Sequence, residues 1–159
     1  MWKGNVVAIS ITGVGSEPMV SVEQAKAVAG QGLEGDRYYR KQGTFTDNPN
    51  TTGRQMTLIE SEAIDALERD YGVKIVSTDA RRNIVTRGVP LNHLVGKEFS
   101  VGEVRVRGVR LDEPCSHMAA LVDEEQKEKI RLGLKHRGGL RADILNDGTI
   151  RVGDAIEGE

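Results

Sequence analysis

Between Phe99 and Leu111 the apolar residues keep a two-residue period and then change phase in mid-run. Phe99 and Val101 alternate before Gly102, Val104 and Val106 continue the pattern, and Val109 and Leu111 carry on in the opposite phase. A period of two is the mark of a half-buried strand. The break falls at Arg107-Gly108, and a one-residue shift at a glycine is what a bulge produces where a barrel strand bends. The rest of the chain agrees with a strand-built domain. Nineteen glycines against 4% aromatic residues predict many turns between short strands. Val6 to Ile11 reads as an opening strand, a glycine- and proline-containing loop follows through Pro18, and a second short strand runs from Met19 to Val22. Asn146-Asp147-Gly148 is a hairpin signal between Ala142–Leu145 and Thr149–Val152.

Two segments carry helical features instead. From Glu60 to Asp70, Ala63, Ile64, Ala66 and Leu67 recur at helical spacing with acids between them as a solvated face, and Gly72 is a suitable stop. From Asp123 to Leu134 acids precede bases, which suits a helix macrodipole. Gly43 to Gly53 is the most loop-like stretch and is expected to be mobile. The fold class that follows is mainly β, a closed or partly closed β-barrel with a few short helices, as a single domain over residues 1–159.

At 159 residues with a net charge of −2, the chain can bury a core without disulfides or a structural metal. Its charge predicts neither nucleic-acid binding nor attraction to an anionic membrane. The N-terminus lacks a long apolar run, and no stretch approaches the roughly 20 residues that a membrane helix needs. A cytoplasmic location is the expectation. One cysteine rules out paired-Cys zinc spacings, and His93, His117 and His136 have no metal-motif spacing.

That cysteine, Cys115, sits in Leu111-Asp112-Glu113-Pro114-Cys115-Ser116-His117, a polar segment marked by proline. A free cysteine is most often a small buried hydrophobe, yet these are not the neighbours of a core residue. Proline disfavours helix just before it, so the segment is read as extended. Cys115 and His117 would then share a face, and an imidazolium beside a thiol favours the reactive thiolate. Asp112 and Glu113 would oppose that effect if they face the sulfur.

The cationic motifs each carry a bland and a functional reading. Gly32-Leu33-Glu34-Gly35-Asp36-Arg37 lacks the Gly-Lys-Ser/Thr of a phosphate loop, and no helical pattern opens after it, which argues against nucleotide binding. It is either a glycine turn with a surface ion pair, or a site in which Asp36 orients Arg37 toward an anion. Arg81-Arg82-Asn83 reads as a solvated basic corner before the strand Ile84-Val85-Thr86. Arg54 and His136-Arg137-Gly138-Gly139 have the same bland reading. The alternative is convergence of several of these cations on one concave site.

Taken in order, Gly32–Arg37, Arg54-Gln55-Met56-Thr57-Leu58-Ile59, Arg81-Arg82-Asn83-Ile84, Leu94-Val95-Gly96-Lys97, Pro114-Cys115 and Arg137-Gly138-Gly139 with Gly153-Asp154 resemble the successive blocks of the MOSC domain. This is the C-terminal domain of molybdenum cofactor sulfurases, also found as stand-alone bacterial proteins. Tyr38 stands where many relatives carry histidine. The resemblance implies a β-barrel whose cysteine, here Cys115, binds molybdenum or carries sulfur for the molybdenum cofactor. It implies molybdopterin as the anionic cofactor, held around Asp36, Arg37, Arg54, Arg81, Arg82, Asn83, Arg137 and Gly138, while the shared face read above from the residues adds His117 to Cys115 as the expected catalytic pair. Pyridoxal phosphate is expected on a partner cysteine desulfurase rather than on this chain, and a redox partner is the other expected associate.

Three functions follow as expectations. The chain binds molybdenum cofactor or a precursor with Cys115 on the metal, and relatives in the amidoxime-reducing group use such a centre to reduce N-hydroxylated compounds. Alternatively, Cys115 carries sulfur as a persulfide. In the third, the barrel is non-catalytic and binds a small anion or a protein, with Cys115 packed away. The position of Cys115, in a cleft lined by arginines or walled in by aliphatic side chains, separates the first two from the last.

Overall fold

The computed structural model describes residues 1–41 and 53–158, so the loop expected from Gly43 to Gly53 lies, except for Gly53, outside the described residues. In chain order the strands are β1 (Trp2–Ile11), β2 (Val20–Val22), β3 (Gln24–Val28), β4 (Gly32–Leu33), β5 (Met56–Glu60), β6 (Ile84–Arg87), β7 (Glu98–Val101), β8 (Val104–Leu111), β9 (Leu140–Ile144), β10 (Gly148–Arg151) and β11 (Ala155–Gly158). The helices are α1 (Ser61–Tyr71), α2 (Ser116–Val122) and α3 (Lys127–Gly133), with 3₁₀ turns at Ser77–Ala80 and Leu91–Leu94.

Seven strands close the barrel in the order β11-β7-β8-β9-β5-β6-β1, and β1 pairs back onto β11 from Trp2↔Gly158 to Asn5↔Ala155. Only β5 and β6 run parallel in this wall, joined by α1 as the crossover. The alternation of side chains decides what each face meets. Leu58 and Ile84 point into the barrel core, while Ile59 and Val85 point outward into a second cluster with Leu67, Met118, Ile130 and Leu134. The helices therefore cover one flank, which is why Met56 to Ile59 are buried on both faces. On the uncovered side β8 alternates cleanly, with Val104 and Val106 buried and Arg105 and Arg107 exposed.

The expected bulge is present, one step beyond the break in phase. Against β9, Gly108 pairs with Ala142 and Arg110 with Arg141, leaving Val109 as the extra residue. A β-carbon on Gly108 would overlap the Leu94 carbonyl oxygen, so only glycine permits this approach. Gly72 ends α1 in the left-handed conformation, φ 70°, as its position predicts.

Three local expectations are corrected. The helix expected over Asp123–Leu134 starts only at Lys127. The Asp123 carboxylate accepts the Glu125 and Gln126 N–H groups at 3.0 and 3.3 Å, a side-chain turn that competes with helix. The turn Asn146–Gly148 does not make a hairpin, because β10 pairs with β3 in a separate three-stranded sheet. Its side chains are tied elsewhere, Asn146 to the Arg105 N–H and Asp147 to the Ala29 N–H. The corner Arg81-Arg82-Asn83 is not solvated, since Arg82 and Asn83 are buried. No helix among the described residues is long and apolar enough to cross a membrane.

At the junction of β5 and α1, burial and then the neighbouring Glu62 charge raise the Glu60 pKa above its ordinary value of 4.5, against a hydrogen bond from the Leu91 backbone and the nearby His93. A raised carboxyl pKa means that the folded state holds the extra proton, so stability falls as pH rises from 4.5 through the raised value. Glu60→Gln should therefore be more stable than wild type at pH 7, and the gap should close as pH drops to 4. Urea midpoints of both proteins across that range test it.

Candidate functional site

Cys115 caps the N-terminal end of α2. Its backbone is extended (φ −118°, ψ 167°) and its Sγ accepts the Met118 N–H at 3.4 Å. The extended reading of Pro114-Cys115 thus holds for one residue, and helix follows at once. His117 is a helical residue, so a shared strand face with Cys115 does not exist. Its imidazole Nε2 lies 3.1 Å from Ser16 Oγ, across from the segment after β1. The register of α2 is set from below, where Met118 and Ala119 are buried in the cluster shared with α1 and α3. That packing leaves the thiol exposed.

The segment entering Cys115 is held by charge. Asp112, 4% exposed, is ion-paired through one carboxylate oxygen with Arg82 (2.9 Å from Nε) and through the other with Arg141 (3.0 Å from Nη2). Arg82 also donates to the Asp112 carbonyl at 3.0 Å and the Gly138 carbonyl at 2.9 Å. A β-carbon on Gly138 would overlap the Asp112 carbonyl, so its bare backbone allows that packing. Glu113, which also lines the cleft, is bonded to the His136 backbone and ring at 2.8 and 3.1 Å.

Arg37, Tyr38, Arg81, Arg82, Asp112 and Arg141, with Cys115 and His117, line one cleft of about 70 Å³. Arg37 is buried and fixed by Asp36 at 3.1 Å, and Asp36 in turn accepts the Thr12 and Tyr38 N–H groups. Arg81 adopts the left-handed conformation, φ 60°, and donates to the Glu17 carbonyl. Its pKa is lowered by burial and then by the Arg37 charge. Burial opposes the charge of Arg141, but Asp112, Tyr38 and Cys115 outweigh it and raise its pKa. Arg141 Nη1 is buried with no hydrogen-bond partner among the described residues.

Of the residues singled out from sequence, Arg37, Arg81, Arg82, Cys115 and His117 meet at this cleft, with Asp36 directly behind Arg37. Arg54 does not line it but stands near Arg141, Arg110, Tyr38 and Asp112, its pKa lowered chiefly by burial and next by Arg141. Asn83 lies outside the cleft. Its side chain takes the Thr57 N–H at 3.0 Å and gives to the Ser10 carbonyl at 3.1 Å, joining β5 to β1. Arg137 is also outside, on Asp70 and the Gly133 carbonyl. Arg141 and the clamping role of Asp112 escaped sequence reasoning. The available signal for Arg141 was a charged residue in the otherwise alternating run Leu140-Arg141-Ala142. Removing the carboxylate should leave two buried guanidinium groups unpaired, so Asp112→Ala should lose about 3–5 kcal/mol of stability, read from urea denaturation.

Residues 34–157 match the MOSC domain. No curated protein sequence matches the chain. Among solved structures, the YuaD protein from Bacillus subtilis superposes with a TM-score of 0.82 at 16% identity, covering 98% of this chain and 97% of that one. YiiM from Geobacillus stearothermophilus gives 0.67 at 17% identity, covering 96% and 73%, and YiiM from Escherichia coli gives 0.66 at 16%, covering 96% and 68%. At these identities the structures share the fold. The domain match spans most of the sequence, including Asp36, Cys115 and Arg141, and this chain belongs to the MOSC domain family.

Proposed function

We propose that the chain binds molybdenum cofactor or a molybdopterin precursor through the Cys115 thiolate, with Arg37, Arg81 and Arg141 facing its anionic parts. The observation that carries this reading is an exposed thiol in a cleft that Arg37, Arg81, Arg82 and Arg141 also line. Thiolate is a soft ligand suited to a thiophilic metal, and planar guanidinium donors suit phosphate and oxyanion edges. The donor set therefore fits the metal end of the cofactor. When bound, the cofactor supplies a redox-active metal centre, such as that used in reducing N-hydroxylated compounds. Arg82 positions Cys115 by holding Asp112. A cysteine packed among aliphatic side chains does not describe this site.

A second reading is favoured by the exposure of the thiol, which a partner's persulfide can reach. As a carrier, Cys115 would attack the outer sulfur of a desulfurase persulfide. A new S–S bond forms, the donor's S–S bond breaks, and the donor cysteine leaves as thiolate.

Two measurements separate the readings. After expression in a host that makes the cofactor, wild-type protein should carry molybdenum and pterin, and Cys115→Ser should carry at least about tenfold less metal, equivalent to 1.4 kcal/mol of binding. Equal, low contents in both proteins would sink the metal reading. Incubation with a desulfurase and cysteine should add the mass of one sulfur to wild type and none to Cys115→Ser; no adduct, under conditions that load a known acceptor, rejects the carrier.

A further inference from the structure

Charge is unevenly matched around the thiol. The Cys115 cleft is lined by four arginines, Arg37, Arg81, Arg82 and Arg141, against two carboxylates, Asp112 and Glu113. Asp112 is divided between Arg82 and Arg141, Asp36 is paired with Arg37 from behind, and Glu113 is bonded to His136. Among the described residues no carboxylate lies within ion-pair distance of Arg81, whose Nη1 donates to the Glu17 carbonyl.

The neighbours of Arg81 are cations instead. Its own carbonyl accepts Arg37 Nη2 at 3.4 Å and Arg82 Nη1 at 3.5 Å. Burial, and next the Arg37 charge, lower the Arg81 pKa below 12.5. A cation opposed by its surroundings gains from an anion placed beside it. Arg141 also lies near Cys115, whose charge helps to raise the Arg141 pKa. An anion drawn into this cleft therefore meets an exposed sulfur.

Excess positive charge beside a thiol suits one class of sulfur donor. Thiosulfate carries its transferable sulfur on a sulfonate group, and it is a dianion. In water a thiolate and a dianion repel each other, and nearby guanidinium groups offset that repulsion. Attack by the Cys115 thiolate on the outer sulfur forms a new S–S bond. The S–S bond of thiosulfate breaks, its electron pair leaves on sulfite, and Cys115 keeps the outer sulfur as a persulfide. No external oxidant or reductant is consumed. Charge develops on the sulfonate end, whose oxygens match guanidinium donors.

We propose that Cys115 accepts sulfur directly from a small dianionic donor of the thiosulfate class, held by Arg81 together with Arg37 and Arg141. The inference rests on the carrier reading above and adds a free anion to the protein persulfide as a source of sulfur.

Purified protein is incubated with thiosulfate and read by intact mass, and turnover with cyanide as acceptor is read as thiocyanate. Wild type should gain the mass of one sulfur and form thiocyanate at a rate that saturates with thiosulfate, with sulfate as a competitive inhibitor. Cys115→Ser should do neither. Arg81→Gln should raise KM for thiosulfate about tenfold, equivalent to 1.4 kcal/mol of binding, and Arg81→Lys, which keeps the charge, should recover most of that loss. A rate that rises linearly with thiosulfate, or a KM unchanged in Arg81→Gln, overturns the anion site. Wild type that a desulfurase loads but thiosulfate does not overturns this inference alone. Wild type that neither donor loads overturns the carrier reading with it.

Discussion

The site depends on one carboxylate shared by two arginines. Asp112 is buried between Arg82 and Arg141, and a pair of buried charges is stable only when geometry and hydrogen bonds offset desolvation. Here both carboxylate oxygens are engaged, and Arg82 adds the Gly138 and Asp112 carbonyls. The strand end of β8, the residues before β6 and the start of β9 are thereby joined at one point. Three residues after Asp112, Cys115 leaves this junction and begins α2.

The barrel and the helical flank each contribute one half of that geometry. β1 closes the wall by pairing with β11, and the bulge at Val109 shifts the register of β8 on β9 just before the strand ends. Met118 and Ala119 then seat α2 against Ile59 and Val85. The thiol is exposed because the buried positions of this short helix are later in its sequence. Neither face of the problem suffices alone: charge fixes the entry to Cys115, and apolar packing fixes the exit.

Electrostatically the cleft is cationic but not uniformly available. Arg37 donates to Asp36 and the Arg81 carbonyl, and Arg82 to the Gly138 and Asp112 carbonyls. Arg141 retains a buried nitrogen with no hydrogen-bond partner among the described residues, and Arg81 donates to the Glu17 backbone carbonyl.

Periodicity and glycine placement were enough to determine a strand-built barrel, the bend in β8 and the span of α1, because alternation and helix stops are local properties of the chain. They also marked Cys115, since a lone thiol among polar residues is visible without coordinates. Partner choice was not legible. That Arg82 enters the interior while Arg137 goes to Asp70, that Asn83 joins strands, and that β10 leaves β9 for β3 all depend on residues far apart in sequence. The same holds for Cys115 and His117, where a single helical turn replaced the extended pair. Local sequence limits the backbone conformations open to each segment, but a buried charge or polar group takes whichever partner the closed fold brings within hydrogen-bonding distance, and only the tertiary structure decides that.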